Sequence, residues 1–215
     1  MPEYYNSFPE WCDLLAPRLM KALESRHFEA YYCRTGAEAK EQALNLMPKG
    51  SSVTWGGSLT IREIGLTDAV KEQGYTIVDR DLATTVEERF DLMRQGFSCD
   101  NYLSSVNAMS EDGEFVNVDG VGNRVAAITF GPKSVILIVG MNKICKTLSD
   151  AHTRAKCYAS PLNSIRLHLP TPCVQTGTCV NCKIPECCCS YIVTTRMNRI
   201  PGRVKVILVG EQLGL

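Results

Sequence analysis

Apolar side chains recur about every 3.6 positions from Trp11 through Leu14, Leu15, Leu19, Ala22 and Leu23. With Pro9 ahead of the first turn, they predict an amphipathic helix. The spacing then tightens. Phe28–Cys33 predicts a short strand, and Gly36–Met47 returns to helical spacing with Ala37, Ala39, Ala43, Leu44 and Met47 on one side. Ser51–Trp55 is a strand running into Gly56-Gly57-Ser58, and a helix follows from Thr60 through Val70. Gly74 closes that helix; Tyr75–Val78 is the next strand and Thr84–Gln95 the next helix. Strands alternating with helices of this length predict a parallel α/β sheet.

The alternation breaks after Tyr102–Met109, where Glu111-Asp112-Gly113-Glu114 signals a hairpin and Phe115–Val118 returns. Val125–Phe130 and Val135–Val139 read as two further strands joined through Gly131-Pro132-Lys133. This stretch is expected to continue the same sheet as an antiparallel or mixed portion. Ser149–Arg166 predicts a helix interrupted near Pro161, segment 172–190 has no period and reads as a loop, and Val204–Val209 predicts a last buried strand. With no internal repeat, low-complexity tract or linker, the expected organisation is a single α/β domain over 1–215. It would carry a helical N-terminal segment 1–48 and a cysteine-rich loop 172–190.

Composition narrows the function classes. Twenty-three basic residues balance 23 acidic ones in the 215-residue chain, so no basic excess points to nucleic acid. Met1-Pro2-Glu3-Tyr4-Tyr5-Asn6 lacks the basic and apolar regions of a signal peptide, and the run Val135–Val139 is too short to span a bilayer. A cytoplasmic location is therefore expected. In a reducing compartment, clustered cysteines are more often metal ligands or redox groups than disulfides.

Six of the eleven cysteines crowd into one segment, at Cys173, Cys179, Cys182, Cys187, Cys188 and Cys189. Cys179-x2-Cys182 has the spacing of a two-ligand knuckle, and Pro172, Gly177 and Pro185 supply turn chemistry around it. Four thiolates from Cys173, Cys179, Cys182 and Cys189 would hold an iron–sulfur cluster, expected as [4Fe-4S]. The same knuckle serves a structural zinc site, and the remaining alternative is a set of reduced thiols that bind nothing. Cys12, Cys33, Cys99, Cys145 and Cys157 are scattered and read mostly as small core residues. His27, His152 and His168 show no metal spacing, and His152 reads as a surface residue.

Two glycine-bearing loops carry the other chemistry. After a strand and before a helix, Gly56, Gly57, Ser58 and Thr60 form a plausible anion cradle of close-approaching backbone and hydroxyls. The plain alternative is a glycine turn with a hydroxyl cap. It is not a dinucleotide or Walker sequence. Glu63, one turn on, is a capping carboxylate or, facing a cleft, a general base or nucleophile. The second loop, Asp119-Gly120-Val121-Gly122-Asn123-Arg124, sets an acid, an amide and a guanidinium among glycines, a composition suited to positioning a carboxylate or phosphate. Asn107, Asn142 and Lys143 follow apolar strands, where α/β sheets bind ligands. Solvated turns are the alternative for each of these. Asp119 is, with Glu63, a candidate acid or base.

Taken in order, these residues resemble a known family. Gly57-Ser58-x-Thr60, Glu63-Ile64-Gly65-Leu66, Asp119-Gly120-x-Gly122-Asn123-Arg124, Phe130-Gly131-Pro132, Val139-Gly140-x-Asn142-Lys143, Pro161-x-Asn163 and Pro172-Cys173 resemble the LUD (lactate-utilisation) domain family from about Gly50 to Leu215. That family includes lactate-utilisation protein C. The resemblance implies a Rossmann-like α/β sheet akin to the group of glucosamine-6-phosphate deaminase, ribose-5-phosphate isomerase and CoA transferases, with a cleft at the strand ends. It implies that the loops 56–60 and 120–124 line that cleft. It also singles out Cys189 as the fourth cluster ligand, seven residues after Cys182, while the Cys187-Cys188 pair departs from the family's pattern. The implied function is that of a component of a system oxidising lactate or a related 2-hydroxy acid, with a small anionic ligand and redox protein subunits as partners. Two alternatives remain beside it. One is a stand-alone enzyme on sugar phosphates or acyl-CoA esters; the other is a non-catalytic regulatory protein with structural zinc. Self-association into a homo-oligomer is open on either view.

Overall fold

The computed structural model describes residues 6–215. The first five positions of the expected helical segment 1–48 lie outside the described residues. Helix α1 (Phe8–Ser25) and strand β1 (Glu29–Cys33) are followed by α2 (Gly36–Asn45) and β2 (Ser52–Trp55). A full capping box fixes the start of α2, with Thr35 and Glu38 each satisfying the other's backbone. The helix expected over 60–70 is instead two short ones, α3 (Leu59–Glu63) and α4 (Leu66–Glu72). Between them Gly65 adopts a left-handed φ of 67°, which breaks the helical ladder. Strand β3 (Thr76–Val78), helix α5 (Val86–Gln95) and strand β4 (Asn101–Ser104) continue the alternation.

Six strands, completed by β7 (Ser134–Gly140) and β10 (Val204–Val209), form one wholly parallel sheet in the order β1-β10-β7-β4-β2-β3. Its centre is buried on both faces. Along β7, Val135, Leu137 and Val139 pack with Leu19, Leu23 and Phe28 on one side. Ile136 and Ile138 pack with Ala39, Ala43, Ile61 and Leu66 on the other. This two-residue alternation between two cores is what a doubly covered parallel sheet requires.

The hairpin does not extend this sheet. Strands β5 (Ala108–Ser110), β6 (Phe115–Asp119), β8 (Ile144–Cys145) and β9 (Tyr191–Thr195) form a separate four-stranded sheet in the order β8-β5-β6-β9. The chain leaves the first sheet at Ser104 and enters the second at Ala108, so the stretch 102–109 that leads into the hairpin is shared between the two sheets. The second sheet has its own small core, in which Ala108, Val116 and Val118 meet Ala151 and Ala155.

The strand expected over Val125–Phe130 is helix α6 (Asn123–Thr129). Its Val, Ile and Thr content favours a strand, but both of its ends are fixed by partners outside it, one nearby and one far along the chain. Asp119 Oδ2 accepts from the Val125 amide at 2.9 Å. Arg203, itself buried, donates to the carbonyls of Ala127 at 3.0 Å and Ile128 at 2.7 Å. These contacts satisfy backbone groups that a strand in this place would leave unpaired. The long helix expected over 149–166 is one rod of α7 (Leu148–Arg154), a π-helical turn over Ala155–Ala159, and α8 (Ser160–Arg166). The wider turn ahead of Pro161 accommodates a residue with no amide hydrogen to donate. Within the cysteine segment, the short helix α9 (Pro172–Thr176) ends at Gly177 in a left-handed conformation.

Candidate functional site

The carboxyl ends of β2, β4 and β7 open into a cleft of about 450 Å³. It sits outside the strand ends, where open parallel sheets bind ligands. Thr60 just after β2, Ser105 just after β4 and Lys143 just after β7 form its floor; Val118–Val121 of the second sheet and the end of α8 wall it. Six basic side chains, Arg62, Arg80, Arg89, Arg124, Lys143 and Arg166, line the cleft against two acidic ones, Asp81 and Asp119. The excess of positive charge suits an anion.

Each cation is held differently. Asp81 pairs with Arg62 at 2.5 Å and Arg89 at 3.0 Å and lies 3.9 Å from Arg80. Arg80 is nearly buried, and its Nε is enclosed with no hydrogen-bond partner among the described residues. Burial draws its guanidinium below its usual value. Gly57 explains how Arg80 reaches the cleft, because a Cβ there would stand 2.8 Å from the Arg80 Nη2. Ser58 Oγ is likewise buried and unpartnered. Two unsatisfied polar groups at one wall are costly unless something else binds them.

Arg124 is bound into the protein. Its Nε donates to Asp119 Oδ1 at 2.7 Å, and its Nη2 donates to Asn107 Oδ1 at 2.7 Å and Val118 O at 2.6 Å. Asp119 therefore spends both oxygens on Arg124 and the Val125 amide. Arg166 donates twice to Asn163 Oδ1, which fixes the far wall.

Lys143 differs from all of them. Its side chain is 3% exposed, and Nζ donates to Thr60 Oγ1 at 2.8 Å and Ser105 Oγ at 2.9 Å. No carboxylate pairs with it among the described residues. Desolvation, then the nearby Arg154 and Arg124 charges, pull its pKa down to about 7, against a smaller opposing influence of Glu63.

Not every residue expected at the site is there. Gly57, Ser58, Thr60, Asn107, Asp119, Gly120, Asn123, Arg124 and Lys143 all line the cleft. Gly56 lies behind it, where a Cβ would meet Tyr102 Oη at 2.9 Å. Gly122 caps α6 with a left-handed φ of 80°. Asn142 turns to the C-terminal segment, accepting from the Leu213 amide at 3.1 Å. Glu63 is exposed and accepts from the Gly214 amide at 2.6 Å, outside the cleft. The anion cradle also differs from expectation. Helix α3 has only five residues, too short for much dipole, so the positive potential comes from guanidiniums. Arg62, Arg80, Arg89, Ser105 and Arg166 went unrecognised as cleft residues in the sequence. They come from five separate segments with no shared spacing.

The cysteine segment encloses a second, smaller cavity of about 80 Å³. Cys173, Cys179, Cys182 and Cys189 all line it, together with Cys187 and Cys188. Asn181, in a left-handed conformation with φ 54°, directs its amide to Cys179 Sγ at 3.5 Å. Cys182 Sγ lies 3.8 Å from Cys187 Sγ, and Cys188 Sγ lies 3.8 Å from Cys189 Sγ. The hydrogen bond with Cys189 draws the Cys188 thiol down to about 6, and Cys189 is pushed up. Among the described residues, no three His, Cys, Asp or Glu side chains are set around a single ion. Cys188 lines both cavities and so forms their common wall. Of the scattered cysteines, Cys12, Cys33 and Cys99 are buried, while Cys145 is half-buried and Cys157 exposed.

Among the described residues no helix is long and apolar enough to cross a membrane. No curated protein matches the chain. A crystal structure of a DUF162 family protein from Deinococcus radiodurans superimposes with a TM-score of 0.54, covering 92% of this chain and 97% of that one at 12% identity. At that identity the likeness is one of fold. The family model described as LUD domain matches residues 16–209, nearly the whole length, and takes in the second half of α1, which the sequence motifs left out. With the strand-end cleft and its motifs in order, the chain belongs to the LUD domain family, associated with lactate utilisation.

Proposed function

We propose that this protein is a component of a system oxidising lactate or a related 2-hydroxy acid. In it, the strand-end cleft holds a small carboxylate or phosphate, and the cysteine segment holds an iron–sulfur cluster. The observation that carries the reading is the shared wall: a cation-rich cleft and a thiol-lined cavity meet at Cys188. A bound anion and a redox group placed there are neighbours.

Three features support the anion. The cleft's basic side chains outnumber its acidic ones, Arg80 Nε and Ser58 Oγ lack hydrogen-bond partners among the described residues, and the volume falls in the range of small-molecule sites. Arg80 would receive the ligand's oxygens, while Arg124, tied to Asp119 and Asn107, would hold the loop in place and contribute charge. The exposed, backbone-bound Glu63 and the fully engaged Asp119 are poorly placed for acid–base work; their geometry supports positioning.

The donor set supports the cluster. Six thiols face one cavity whose lining contains no histidine or carboxylate, a composition suited to soft metal groups. Cys173, Cys179, Cys182 and Cys189 would hold the cluster, and it would supply one-electron transfer. Redox subunits would then deliver or accept the electrons.

The test is metal analysis with a visible spectrum on anaerobically purified protein. The expected result is about four iron and four sulfide per chain with a dithionite-bleached absorbance. Colourless protein with one zinc would refute the cluster and make the loop structural. Retention of the full iron content by Cys189→Ser would refute the proposed fourth ligand.

A further inference from the structure

We propose that Lys143 is a covalent nucleophile, whose ε-amine condenses with the carbonyl carbon of a small compound bearing a carboxylate or phosphate. The inference rests on the reading of the cleft as an anion site and adds a chemical step to it.

The geometry carries it. Lys143 stands at the end of the central strand β7, on the floor of the cleft, with almost no exposure except into that space. A lysine kept only to bind anions would be expected at the rim, solvated and charged. Here the amine is enclosed, and its two hydrogen-bond partners, Thr60 Oγ1 and Ser105 Oγ, are uncharged. The charged groups that face it are Arg154 from α7 and Arg124 from α6, which repel an ammonium, and Glu63 from α3, whose carboxylate is occupied by the Gly214 amide. Backbone packing restricts the amine further, since a Cβ at Gly214 would lie 3.2 Å from Nζ. Desolvation beside fixed positive charge is the arrangement that yields a neutral, nucleophilic lysine near neutral pH. The substrate class follows from the remaining walls: the anionic group faces Arg80 and the carbonyl faces Nζ.

The chemistry balances without a redox partner. The Nζ lone pair attacks the carbonyl carbon, the C–N bond forms and the C=O π bond opens, and the oxygen takes up a proton to give a carbinolamine. Nitrogen releases a proton, the hydroxyl leaves as water, and an imine remains. The net change is one amine plus one carbonyl giving one imine plus one water. Thr60 and Ser105, each accepting from Nζ, keep their own hydroxyl protons available for the transfer.

Reductive trapping tests this. The full chain is incubated separately with pyruvate and with dihydroxyacetone phosphate in the presence of cyanoborohydride, and peptides are mapped by mass spectrometry. Binding of both compounds is measured in parallel by calorimetry. The expected result is one stable adduct per chain on Lys143 with at least one of the two, slowed by inorganic phosphate and lost in Lys143→Arg, which keeps a donor at this position but has no nucleophilic amine. Whichever compound traps faster identifies the carboxylate or the phosphate as the preferred anion. Binding without trapping, or adducts spread equally over surface lysines and retained in Lys143→Arg, overturns the covalent step and leaves the anion cleft standing. Neither binding nor trapping overturns both.

Discussion

The buried, unpaired Lys143 makes a prediction about stability that needs no ligand. Free in the unfolded chain its pKa is 10.5, and in the folded protein burial lowers it to about 7. Between those values the unfolded chain holds a proton that the folded protein has released, so stability rises with pH across this window. The contribution is complete above 10.5 and is lost as pH falls through about 7. At about 1.4 kcal/mol per pKa unit, the depression corresponds to about 5 kcal/mol across the window. Other groups oppose this trend. The thiols of Cys33 and Cys99 and the phenols of Tyr31 and Tyr75, raised by burial, cost stability as they ionise at high pH. A comparison with Lys143→Met cancels them, since the variant keeps every one. The assay is urea denaturation of both proteins at intervals from pH 7 to 10.5 in phosphate-free buffer. The wild-type stability minus that of the variant should climb by about 1 kcal/mol per pH unit. Met also strands the Thr60 and Ser105 hydroxyls, but that cost is constant with pH. A difference that stays flat over the window would refute the neutral-lysine reasoning.

Further predictions concern the supports of the cleft. Arg203→Met removes the donors that close the end of α6, leaving the carbonyls of Pro132, Ile128 and Ala127 without their buried partner, and should cost about 3 kcal/mol in denaturant melts. Asp119→Asn leaves Arg124 nearly buried without its counter-charge and should cost about 3 kcal/mol. It should also weaken anion binding by loosening the 119–124 loop, measured by phosphate titration. Arg80→Gln, by contrast, should weaken phosphate binding about tenfold with little loss of thermal stability, since among the described residues Arg80 Nε makes no hydrogen bond and only a long 3.9 Å ion pair with Asp81. A variant that melts early with unchanged affinity would place Arg80 among the structural arginines.

What the sequence discloses about this protein is what lies close together along it. The Cys179-x2-Cys182 knuckle and the triplet at 187–189 are local, and the structure sets them around one cavity. The parallel sheet was legible because each strand and its following helix have their own period. The failures share a different cause. Val125–Phe130 carries strand-forming side chains, yet Asp119 and Arg203, the latter more than seventy positions away, fix it as a helix. Tyr191–Thr195 is a half-exposed β-branched run, hidden in the sequence by the aperiodic cysteine segment before it, and only its pairing with β6 makes it a strand. The cleft shows the same division. Glycines with hydroxyls at 57–60 and glycines with an acid, an amide and a guanidinium at 119–124 announce themselves by composition, whereas Arg80, Arg89 and Arg166 sit in unrelated segments that converge only because parallel strands point their ends the same way. Lys143 lies between the two cases. Its position after an apolar strand marked it as a ligand contact, but the property that turns it toward chemistry is the lack, among the described residues, of any acidic side chain within pairing distance. Such an absence is a fact of the fold, and no reading of neighbours along the chain contains it.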